Sequence, residues 1–104
     1  MMKKKKAICL FKYEHWLETG EKILVEVIDT KDPKYLEGIM YTFRCISTEG
    51  KTLFAVENSH GKPHIHLNEK KIEVEYDWKQ ALSKFEEMKA EYGRKTKFEH
   101  GNGA

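Results

Sequence analysis

Residues 63–92 read PHIHLNEKKIEVEYDWKQALSKFEEMKAEY, and the period of the apolar residues changes inside this stretch. Pro63, Ile65 and Leu67, then Ile72, Val74 and Tyr76, alternate with polar residues, the two-residue period of strands with one face turned to a core. Asn68-Glu69-Lys70-Lys71 between them is turn chemistry, so 63–67 and 72–76 predict a hairpin. From Asp77 onward Trp78, Ala81, Leu82, Phe85, Met88 and Tyr92 recur at helical spacing. Asp77 is an N-cap residue with Gln80 three positions on, and Gly93 marks the expected stop. Strands that run directly into one amphipathic helix predict an α+β domain, the helix laying its apolar stripe on one sheet face.

Two further strand pairs lie upstream. Ala7 to Leu17 and Glu21 to Asp29 are rich in Ile, Leu, Val and aromatics and flank Glu18-Thr19-Gly20. Gly38 to Ser47 and Lys51 to Asn58 flank Glu49-Gly50, after a polar connection at Thr30-Lys31-Asp32-Pro33-Lys34. The fold predicted is therefore an antiparallel, meander-like sheet of six strands with one C-terminal amphipathic helix packed on it. After Arg94 no apolar period is left, so 1–93 read as a single domain and 94–104 as a mobile tail.

With 104 residues the chain has material for one modest core, and its 12% aromatic content supplies apolar area to bury. A net charge of +2 gives no basic-protein argument for nucleic-acid binding. Lys3-Lys4-Lys5-Lys6 and the cluster Arg94, Lys95, Lys97 read as solvated ends. Cys9 and Cys45 sit in apolar stretches where a free thiol acts as a small hydrophobe, which fits a reduced, cytoplasmic protein. The apolar run Ala7 to Phe11 is too short for export or for spanning a membrane. His15-Trp16 and Tyr41 read as strand packing, and His100 as a solvated residue of the tail.

Chemistry concentrates in Asn58-Ser59-His60-Gly61-Lys62-Pro63-His64-Ile65-His66. If Pro63, Ile65 and Leu67 face the core, then His64 and His66 share the opposite face, partly exposed and roughly 7 Å apart at Cα. A turn centred between Glu69 and Lys70 places His64 opposite Glu75 and His66 opposite Glu73. Carboxylates so placed favour the imidazolium and raise the histidine pKa.

Three functional readings of this segment are open, beside a polar sheet face whose ion pairs contribute only a few tenths of a kcal/mol each. In the first, His-x-His with His60 or a Glu supplies N and O ligands to zinc or a similar ion, although no Cys, Asp or distant His completes the shell. In the second, metal-free, one histidine removes a proton, another donates one, and Lys62 stabilises charge on a phosphate. That set suits RNA, which carries its own nucleophile in the 2′-hydroxyl. In the third, the His-rich edge docks a protein partner. There is no phosphate-binding Gly-rich loop, nucleophile elbow or dinucleotide fingerprint.

The order of these features resembles the TumE-type toxin family of bacterial and archaeal toxin–antitoxin pairs. The resemblance runs through a first strand pair around a Gly turn, Tyr41-Thr42-Phe43, a strand ending in Glu57-Asn58, His60-Gly61, Pro63-His64-Ile65-His66 and a closing helix, covering Ala7 to about Tyr92. Asn58, His64 and His66 match the family's Asp-Asn and His-x-His positions, whereas Glu57 stands where Asp is expected and Ala55-Val56 where Arg-Tyr is usual. The resemblance implies a growth-inhibiting protein encoded beside a small DNA-binding antitoxin, with RNA as a target. The candidate catalytic set is then His60, Lys62, His64 and His66, supported by Asn58, Glu73 and Glu75, with no cofactor, no metal and no membrane partner; self-association is left open.

Overall fold

The computed structural model describes residues 7–101, with side chains through Lys95. The lysine run Lys3 to Lys6, the side chains of Lys97 and His100, and residues 102–104 of the expected tail lie outside the described residues.

Six strands, β1 (Ile8–Trp16), β2 (Lys22–Asp29), β3 (Ile39–Ile46), β4 (Thr52–Glu57), β5 (His64–Leu67) and β6 (Lys70–Glu73), precede one helix, α1 (Trp78–Gly101). They form a single antiparallel sheet in sequence order, the α+β meander that the periodicity predicts. The helix packs on β3 and β4.

Alternation divides the sheet into two unlike faces. Ile23, Val25, Val27, Tyr41, Phe43, Cys45, Phe54, Val56 and Ile65 make the helix-side core together with Ala81 and Phe85. Phe85 contacts the rings of both Phe43 and Phe54, at centroid separations of 5.9 and 5.6 Å. Tyr41 is core, stacked on Phe43, and its hydroxyl donates to the Tyr76 carbonyl at 2.9 Å. The opposite face carries a row of aligned residues, Lys12, Glu26, Thr42, Glu57, His64 and Glu73, one from each strand. No described helix packs on that face.

The helix start is the expected capping box: Gln80 N–H donates to the Asp77 carboxylate at 2.8 Å, and Asp77 N–H donates to the Gln80 side-chain carbonyl at 3.0 Å. Farther along, the Tyr92 hydroxyl donates to the buried Glu21 carboxylate, tying the helix to the start of β2.

Several expectations are corrected. The helix does not stop at Gly93 but continues to Gly101, so residues 94–101 of the expected tail are helical. The last hairpin turns at Asn68-Glu69, because Asn68 takes the left-handed φ of +58° that Asn tolerates better than most residues. Strand β6 therefore begins at Lys70 and ends at Glu73, leaving Glu75 outside the sheet. Cys9 is exposed, while Cys45 is buried, and burial followed by the nearby Glu21 charge pushes its thiol up to about 11. Trp16 is exposed, with the Lys22 ammonium 5.5 Å from its ring centroid.

Gly93 is a helical residue with open space where a Cβ would stand. Gly93→Ala is expected to raise stability by about 0.5–1 kcal/mol in urea denaturation, the usual gain at a helix-interior site. Destabilisation instead would show that the helix ends there.

Candidate functional site

Glu57 is the last residue of β4 and His64 the first of β5, and the antiparallel register sets them side by side. His66 follows two residues later on the same face, its ring centroid 4.5 Å from that of His64. Ligand-type atoms of Glu57, His64 and His66 all lie within 4.8 Å of one another.

A carboxylate in this position needs compensation, because Glu57 is only 4% exposed. Arg44 supplies it, Nε donating to Glu57 Oε2 at 2.8 Å, and the Ser59 hydroxyl donates to Oε1 at 3.1 Å. His64 is likewise 4% exposed. Its Nδ1 lies 3.1 Å from the Lys62 carbonyl, and its Nε2 lies 3.9 Å from Glu57 Oε1 with no hydrogen-bond partner. His66 is half-buried.

The turn that delivers His64 to Glu57 is fastened to its surroundings. Asn58, 1% exposed, accepts from Tyr41 N–H at 2.7 Å and donates to the Ile39 carbonyl at 2.9 Å. The Tyr35 hydroxyl donates to the Ser59 carbonyl at 3.1 Å. Gly61 has φ +97°, and a Cβ there would come within 3.1 Å of the Lys34 side chain, so position 61 favours glycine twice over.

Measured against the candidate set from sequence, the structure brings His64 and His66 together on one face and leaves His60 and Lys62 as exposed turn residues. Asn58 anchors the turn through its backbone partners rather than facing the histidines. Glu73 stands opposite His64, not His66, and His66 stands opposite Lys71. The expected partial exposure of His64 is also corrected: its ring is buried, although against Glu57 and His66 rather than in the apolar core. Glu57 is the residue that sequence reasoning missed as a partner of the histidines. Its signal is a lone carboxylate ending the otherwise apolar run Leu53-Phe54-Ala55-Val56.

The electrostatics also differ from the expectation. Burial alone would raise the Glu57 carboxyl, but the Arg44 hydrogen bond and charge, the Ser59 hydroxyl and His66 together hold it below its ordinary 4.5. For His66, burial and then the His64, Lys71 and Arg44 charges outweigh the upward pull of Glu57, so the pKa is lowered rather than raised. Both shifts favour the form that has lost its proton. Their stabilising contributions are present above the unfolded-state values and are lost as pH falls through the lowered folded values.

No known protein family, curated protein or solved structure matches this chain.

In metal-free buffer the imidazole resonance of His66, followed by NMR, is expected to titrate with a midpoint below 6.5. A midpoint at or above that value would contradict the balance of burial and neighbouring positive charge over Glu57.

Proposed function

We propose that the protein is a TumE-like toxin of a toxin–antitoxin pair, and that it acts on RNA at the sheet face opposite the helix, where half-buried His66 stands beside buried Glu57 and His64. The observation that carries this reading is the convergence of those three side chains, with Arg44, on residues that include the His-x-His motif of the resemblance. Chemically the arrangement offers a proton acceptor beside positive charge. His66 is the less buried imidazole of the pair, and burial with the neighbouring positive charges lowers its pKa, which favours the neutral form that can take the proton of a ribose 2′-hydroxyl. Lys71 stands opposite it on β6, Arg44 lies two strands away in the same row beyond Ala55, and exposed Lys62 lies on the turn entering β5; these cations suit a phosphate backbone. His64, buried between Glu57 and His66, positions rather than meets a bulky substrate.

The remaining elements of the reading are a cognate antitoxin that masks this face and the absence of any role at a membrane. No described helix is long and apolar enough to cross a membrane.

Production of the protein in a bacterial host without its partner is expected to slow growth and to fragment cellular RNA. His66→Ala is expected to relieve both, at a stability change within about half a kcal/mol, as for most substitutions at positions that are not fully buried. Normal growth with abundant folded protein would contradict the toxin reading. Inhibition that persists with folded His66→Ala would remove this cluster from the mechanism.

A further inference from the structure

The hydrogen bond at His64 decides what its other nitrogen can do. A carbonyl only accepts, so the contact of Nδ1 with the Lys62 carbonyl at 3.1 Å places the ring hydrogen on Nδ1. In the neutral ring Nε2 is then a bare lone pair. It is buried, has no hydrogen-bond partner, and faces Glu57 Oε1, another acceptor, at 3.9 Å. Two buried acceptors turned toward each other leave an unmet demand for a positive centre between them.

We propose that Glu57, His64 and His66 form a binding site for one divalent transition-metal ion of the zinc class. This rests on the reading of the same cluster as the functional site and adds a cofactor to it; with the ion bound, the His66 lone pair would be a ligand rather than the proton acceptor, and a metal-bound water would take that part. Two imidazoles and one carboxylate are the donor set that borderline divalent ions take. Bond lengths of about 2.0–2.2 Å at a tetrahedral ion separate neighbouring ligand atoms by roughly 3.3–3.6 Å. The Glu57 to His64 separation of 3.9 Å is close to that span, and no pair in the cluster exceeds 4.8 Å. The adjustment falls to His66, the half-buried member.

The groups around the three ligands do what outer-shell partners do at metal sites. The Lys62 carbonyl fixes the His64 tautomer, and Arg44 and Ser59 hold the Glu57 carboxylate in place while leaving Oε1 turned toward His64. Three protein ligands leave a fourth position open, on the side where the half-buried His66 meets solvent. An ion there would supply Lewis acidity to a phosphoryl oxygen or activate a bound water. The shell that looked incomplete in the sequence is completed by Glu57 from the neighbouring strand.

Isothermal titration of the purified full chain with Zn2+ tests this directly. The expected result is saturable binding at one equivalent, with Co2+ at the same site giving the visible spectrum of a four-coordinate ion. His66→Ala should weaken Zn2+ binding by more than the ~10- to 100-fold that loss of an outer-shell partner causes, and Glu57→Gln should do likewise. His15→Ala, an exposed histidine on β1, should leave it unchanged. Circular dichroism of each variant separates lost binding from lost fold. Absence of saturable binding, or binding indifferent to both His66→Ala and Glu57→Gln in folded protein, would overturn the proposal. The growth assay is independent: inhibition without Zn2+ binding rejects only the metal, and Zn2+ binding through these residues without inhibition rejects only the toxin reading.

Discussion

The ion pair between the partly exposed Arg44 and the buried Glu57 is the constraint around which the second face of the sheet is organised. A carboxylate that is 4% exposed would ordinarily give up its charge or its burial, and the 2.8 Å contact with the Arg44 guanidinium lets it keep both. Thr42, Glu57 and His64 lie side by side across three strands, and each is buried although no described helix packs on that face. Replacing Arg44 alone would strand the Glu57 charge, a larger penalty than the ion pair's own net contribution.

The two faces divide the work. On one side, Phe43, Phe54 and Phe85 hold helix to sheet by apolar burial, which needs no particular partner and tolerates a generic pattern. On the other, polar groups have specified neighbours: Glu57 has Arg44 and Ser59, and His64 Nδ1 has the Lys62 carbonyl, while its Nε2 is left without a hydrogen-bond partner. The polar face depends on the strand register more strictly than the apolar one, because a slip of two residues would keep both faces but exchange every polar partner. Asn58, Tyr35 and Gly61 guard against such a slip by fixing the turn between β4 and β5.

What was legible in the sequence follows from the same division. Hairpins and the capped helix announce themselves through local signals, and Asp77 with Gln80 does in the structure what the spacing implies. The last hairpin was displaced by two residues, since Asn68-Glu69-Lys70-Lys71 is uniformly polar and only the left-handed φ of Asn68 shows where the chain reverses. A shift of two keeps every side chain on its face, so His64 and His66 stay together while their cross-strand partners change. The Glu57 partnership was less legible because it depends on the length and anchoring of the turn from Asn58 to Pro63, which no period encodes. Gly93 misled for a related reason: glycine past an amphipathic stripe is a frequent stop, yet here the helix runs through it.

Glu57 joins the two histidines into one electrostatically coupled unit. The most direct test is the NMR titration of His66 in metal-free Glu57→Gln protein. Removing the carboxylate takes away the one influence that raises the His66 pKa and frees Arg44 from its partner, so the midpoint is expected to fall below that of the unsubstituted protein. An unchanged midpoint in folded Glu57→Gln protein would mean that Glu57 and His66 do not share a site.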